Sequence, residues 1–151
     1  MRAQAPLPDL AIQADLAAQR ETYKRDKAAV LLGLANSGSS VRGLKQTLKQ
    51  LAILADGLLI DLWQNAGFSP ELTLVAVGGF GRAELFPYSD VDVLVLLPSG
   101  QTPESDPALQ AQLERFIGNC WDTGLEIGSS VRSLGECLAE SAKDITCLLY
   151  T

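Results

Sequence analysis

The sequence predicts an α+β fold: a small mixed sheet flanked by helices, preceded by a helical N-terminal extension. Three observations carry this. Apolar residues recur at helical spacing over residues 44–63 and again over 109–121, while two short Val- and Leu-rich runs, "LTLVAVG" and "VDVLVLL", read as strands. A glycine-rich turn separates those two runs, and the second opens with two carboxylates, Asp90 and Asp92. At 151 residues and 47% apolar composition, the chain is long enough for one compact core.

Taken in order, residues 1–16 are rich in Pro and Ala and are expected to fray, and a first helix is expected from about Leu16 to Leu34. "NSGSS" at 36–40 breaks the chain and offers Ser39 or Ser40 as an N-cap. In the second helix Leu44, Leu48, Leu51, Ala52, Ala55, Leu58, Leu59, Leu62 and Trp63 form one stripe. Ile53, Leu54 and Ile60 fall off it, which suggests a second buried side or a partner. Gly67 suits the position after the helix, and Pro70 confirms the stop.

"LTLVAVG" (72–78) is expected to be a strand buried on both faces. "GFGRAELFPYS" should hold a turn and about one and a half helical turns ended by Pro87. The strand at 91–97 follows, then a polar loop at 98–107 with three prolines, a candidate flap. Pro107 is suited to open a helix that keeps Leu109, Leu113, Phe116, Ile117, Cys120 and Trp121 on one face and ends at Gly124. "LEIGSSVRS" alternates, so Glu126, Gly128, Ser130 and Arg132 share a face. Ser133 with Glu136 forms a capping-box pattern for a last helix reaching about Tyr150.

Composition excludes several functions. The net charge of −6 and a pI near 4.6 lack the footprint of a general nucleic-acid binder, so an anionic ligand must be captured locally. The N-terminus has no apolar signal core, and "LAILADGLLIDLW" is too short and too acidic to cross a bilayer. A cytoplasmic protein without membrane contact is expected. Cys120, Cys137 and Cys147 are odd in number, lack C-x-x-C spacing and sit in apolar helical contexts, which suits buried reduced thiols. The chain contains no histidine, so Ser-His-Asp and Cys-His catalysis, H-E-x-x-H zinc sites and His-Asp phosphohydrolase sites are absent from it.

The chemistry concentrates at Gly78–Asp92. Residues two apart on a strand project to the same face about 6.6 Å apart, so Asp90 and Asp92 address one spot while Val91 and Val93 enter the core. Paired carboxylates suit magnesium, which takes one or two of them together with substrate phosphates. Gly78 and Gly79 let backbone approach a phosphate, with Arg82 adding charge and Ser89 a hydroxyl. The glycines match neither a dinucleotide fingerprint nor a P-loop. The bland alternative is a tight strand-to-helix turn followed by a solvated strand end.

"VGGFGRAELFPYSDVDVLVLL" resembles the signature of the DNA polymerase β-like nucleotidyltransferase superfamily. Together with "LWQNAGF" and "WDTGLEIGSSVRSLGECL", it resembles the N-terminal domain of bacterial protein-PII uridylyltransferase/uridylyl-removing enzymes over roughly residues 40–150. The resemblance implies transfer of UMP from UTP to a tyrosine of the PII nitrogen-signalling protein, with Mg²⁺ and release of pyrophosphate. Gly78 and Gly79 would then hold the triphosphate, Ser89 would assist, and Asp90 and Asp92 would bind the metals. A third acid would help activate the nucleophile; Glu126 is the best placed, Asp122 less so. Residues 1–38 would form the extension and 39–151 the transferase domain, incomplete beside relatives that continue into a phosphohydrolase domain and ACT domains. Those relatives commonly carry histidine where Ser129 stands. Another nucleotide or acceptor, or an inactive module that binds nucleotide or PII without turnover, are the alternatives.

Overall fold

The computed structural model describes residues 8–36, 38 and 40–143. Residues 1–7, Ser37, Ser39, and residues 144–151 with Cys147 lie outside the described residues, as does the end of the expected last helix. The first helix, α1 (Pro8–Asn36), begins earlier than the sequence suggested. Proline costs nothing in a first turn, whose N–H groups have no partner in any case, and the Ala-rich stretch after it favours helix over fraying. Helix α2 (Val41–Ala66) opens at Ser40, whose Oγ accepts a hydrogen bond from the Gly43 N–H at 3.0 Å, and closes at Gly67.

The sheet has three strands in the order β1 (Thr73–Ala76), β2 (Val91–Leu97) and β3 (Ile127–Ser133). β1 runs antiparallel to β2, and β3 parallel to it, so the sheet is mixed as expected. The parallel pair needs a crossover, which α4 (Pro107–Asp122) provides. Asp106 caps α4 by accepting the Leu109 N–H at 3.2 Å. The loop before it carries a single 3₁₀ turn, Pro103–Ser105, closed by hydrogen bonds between Thr102 and Ser105. At the far end, Ser133 and Glu136 exchange the reciprocal bonds of a capping box and open α5 (Leu134–Lys143).

β1 is shorter and less buried than expected. It lies at the sheet edge, paired on one side only; Thr73 is exposed and Leu74, Val75 and Ala76 are half-buried. Val77 then leaves the strand to cap the next turn. Along β2, Val91, Val93, Val95 and Leu97 are nearly inaccessible and pack against Leu51, Leu59 and Leu62 of α2 and Leu109, Leu113 and Phe116 of α4. Burying each such side chain contributes about 1.5–3 kcal/mol. Trp63, Phe68 and Phe116 lock the two helices together, with ring centroids 4.2 to 5.6 Å apart. α1 contributes Tyr23, Leu16, Val30 and Leu31 to the same core.

Other expectations need correction. Ile53 and Ile60 form no second buried side: they are 58% and 45% exposed, and Leu54 alone of the three leans on the core. Trp121 is likewise exposed, because α4 turns it away from the sheet. Cys120 is fully buried, whereas Cys137 on α5 is only half-buried. Among the described residues, no helix is long and apolar enough to cross a membrane.

Candidate active site

With Val91, Val93, Val95 and Leu97 facing the helices, strand alternation sends Asp92 to the opposite side of the sheet, and Asp90 precedes the strand on that side. The main chain is fixed there by two bonds: Val77 N–H to the Asp92 carbonyl at 3.0 Å, and Val91 N–H to the Glu126 carbonyl at 2.7 Å. These tie the end of β1 and the start of β3 to the acid pair.

Helix α3 (Gly78–Gly81) is a single turn, shorter than expected and finished well before Pro87. Gly78 has φ +60°, a left-handed conformation that a side chain disfavours, and a Cβ there would stand 3.2 Å from Asp92 Oδ2. The Gly81 N–H donates to the Val77 carbonyl at 3.0 Å, whereas the amides of Gly78, Gly79 and Phe80 have no carbonyl a turn earlier in the helix to meet. They start beside the Asp92 carboxylate. Arg82 follows, its Nη2 3.9 Å from where a Gly79 Cβ would be, and its Nε 3.5 Å from Glu84 Oε2. Both partners of that pair are more than half exposed, so it contributes little to stability.

On the other side of Asp92 stands Gly128. The register sets the two directly opposite each other, and a Cβ on Gly128 would fall 2.7 Å from Asp92 Oδ1 and 4.0 Å from Asp90 Cβ. Asp90, Asp92, Gly78 and Gly128 therefore meet at one spot. A cavity of about 350 Å³ opens there, lined by Gly79, Arg82, Ser89, Asp90 and Asp92 of the expected set and, in addition, by Phe80, Glu84, Leu85 and Phe86.

Glu126 is exposed and lies just before β3, outside that lining. Its charge reaches Tyr23 of α1, whose pKa is raised above its ordinary 10.0 by burial first and by Glu126 second. Among the described residues, no three acidic or cysteine side chains come close enough to hold a metal by themselves. Of the three carboxylates in that lining, Glu84 stands 3.5 Å from Arg82, which leaves Asp90, Asp92 and the Ser89 hydroxyl as hard-oxygen donors beside an open cavity. That set fits magnesium, which keeps waters and shares itself with substrate phosphate.

Sequence reasoning missed Gly128, Glu84 and Phe86. The signal for Gly128 was present: strand alternation puts it on the face of Glu126 and Ser130, and a glycine inside a strand marks a close approach.

The one-turn helix opened by glycines, the loop after it and the strand with the acid-x-acid pair all fall within one matched stretch of the chain. The family model for the nucleotidyltransferase domain matches residues 61–137, from the end of α2 into α5, and the chain belongs to that family. Its relatives narrow the class. Over 128 residues, 85% of this chain, it is 48% identical to the bifunctional uridylyltransferase/uridylyl-removing enzyme of Burkholderia vietnamiensis. It is 57% identical over 97 residues, 64% of the chain, to the enzyme of the same name from Ralstonia nicotianae, and 48% identical over 127 residues, 84% of the chain, to that of Cupriavidus metallidurans. The matches span only 14%, 11% and 14% of those relatives' lengths, respectively. No solved structure matches the chain.

Proposed function

We propose that this domain transfers UMP from UTP to a tyrosine of a PII signalling protein, releasing pyrophosphate. The observation that carries the reading is the convergence of Asp90 and Asp92 on one cavity with the Gly78–Gly79 turn and Arg82. The name uridylyltransferase borne by its relatives supports uridylyl as the group transferred, and the PII tyrosine as acceptor rests on the resemblance read from the sequence.

In this reading, backbone N–H groups of the α3 turn and the Arg82 guanidinium hold the β- and γ-phosphates, with Ser89 as a further donor. Asp90 and Asp92 would hold Mg²⁺, which when bound neutralises charge on the α-phosphate and the departing pyrophosphate. The tyrosyl oxygen attacks the α-phosphorus; the new O–P bond forms as the bond to the pyrophosphate oxygen breaks. The phenolic proton goes to solvent or to Glu126, which precedes β3 outside the cavity lining and would have to be reached through water. Positioning and electrostatics supply the rate, with no covalent enzyme intermediate.

The test is transfer of label from α-labelled UTP, and in parallel from ATP, to a PII protein in Mg²⁺, comparing the chain with Asp92→Asn. Transfer from UTP that falls on the order of a thousandfold in the variant is expected, the loss of about 4 kcal/mol of charge stabilisation. A folded chain that moves label from neither nucleotide would overturn the reading and favour a module that binds without turnover. Label from ATP alone would change the substrate.

A further inference from the structure

One side chain in the cavity wall has no part in the chemistry above. Phe86 is 51% exposed and lines the cavity together with Arg82, Ser89, Asp90 and Asp92. The other aromatic in that wall, Phe80, is 5% exposed and belongs to the core. Phe86 does not hang loosely. Its neighbour Leu85 is buried, and the Phe86 carbonyl accepts the Ser89 N–H at 3.1 Å, closing a turn across Pro87 and Tyr88. The loop thus presents an apolar ring to a site otherwise lined, at its exposed positions, by charged groups and a hydroxyl.

Those polar groups account for phosphates and a cation, and a nucleotide has one further part. Its base is flat, apolar on its faces, and gains affinity by stacking on an aromatic ring. Resting on the nucleotidyl-transfer reading, we infer that Phe86 is the stacking platform for the nucleobase, at the opposite end of the ligand from the phosphates on Arg82 and the α3 turn. Because every base has a π-face, this platform holds the base without selecting it. Choice between uracil and adenine then rests on groups that read the base edge, and Phe86 is not one of them. Tyr88, 96% exposed on the same loop but outside the cavity wall, serves as the internal control.

The experiment is calorimetric titration of the chain with UTP, ATP and inorganic tripolyphosphate, each in Mg²⁺, for wild type, Phe86→Ala, Phe86→Trp and Tyr88→Ala. Phe86→Ala is expected to weaken both nucleotides by on the order of tenfold or more while leaving tripolyphosphate affinity unchanged. Phe86→Trp should restore nucleotide binding, and Tyr88→Ala should match wild type. Equal loss for nucleotides and tripolyphosphate in Phe86→Ala would show a damaged loop and overturn the assignment. So would full nucleotide affinity in that variant. A wild type that binds none of the three ligands would overturn the nucleotidyl-transfer reading itself, an outcome distinct from wild type and Phe86→Ala binding alike.

Discussion

Asp92 is held between two absent side chains. Its Oδ2 lies against Gly78 and its Oδ1 against Gly128, so the carboxylate occupies space that any larger residue at either position would claim. Gly128→Ala would bring a methyl group to 2.7 Å from Oδ1, closer than such contacts ever stand, so the carboxylate or the strand has to move. A displacement of that kind is expected to lower transfer about 100-fold and to raise the Mg²⁺ concentration needed for half-maximal rate. Ser130→Ala, two residues along the same strand, should do neither; a Gly128→Ala variant with unaltered Mg²⁺ dependence would show that Asp92 does not need the gap. That Asp90, Asp92, Gly79, Arg82 and Ser89 gather around one cavity was legible because their chemistry and spacing are written in one short segment. Gly128, Phe86 and Glu84 were not singled out. Gly128 comes to Asp92 only when β3 pairs with β2, and Phe86 comes to the cavity only through the turn its carbonyl closes with the Ser89 N–H.

Helix α2 shows how far local signals reach. Its stripe, its cap at Ser40 and its stop at Gly67 all follow from the sequence, and they put Leu51, Leu59 and Leu62 under the sheet that carries the acids. Ser40→Ala removes the acceptor for the Gly43 N–H and should cost about 1 kcal/mol, read as a lower urea midpoint, while Ser40→Asp keeps it. Nucleotide affinity should be the same in both, since the cap lies outside the site. Strand β1 was harder to read. A run of seven residues rich in Leu and Val suggested a strand buried on both faces, but an edge position leaves it with one partner, and the left-handed Gly78 already belongs to the turn. The early start of α1 was also illegible, because its polar and apolar residues follow no clean stripe and its docking is decided by tertiary contacts.

At the scale of the molecule, α1 and the sheet share one core, and two titratable groups report on it. Tyr23 of α1 and Cys120 of α4 belong to the same buried cluster. Burial raises the pKa of Tyr23 above 10.0, with the charge of Glu126 adding to it, and pushes the Cys120 thiol from its ordinary 9.0 up to about 12. Both groups are neutral when protonated, so a raised value means the unfolded chain gives up these protons first. Their contribution to stability is therefore complete below pH 9.0 and is lost as pH rises through the window from 9.0 to about 12. The urea midpoint should fall across that window. Cys120→Ala lowers the midpoint at neutral pH by opening a cavity, yet its midpoint should fall less steeply with pH, and Tyr23→Phe should flatten the profile from 10.0 upward. If Tyr23→Phe follows the wild-type profile throughout, the phenol ionises as freely in the folded chain as in the unfolded one. α1 would then not be sealed against the domain, and the Glu126 carboxylate would not stand near enough to oppose ionisation of the phenol.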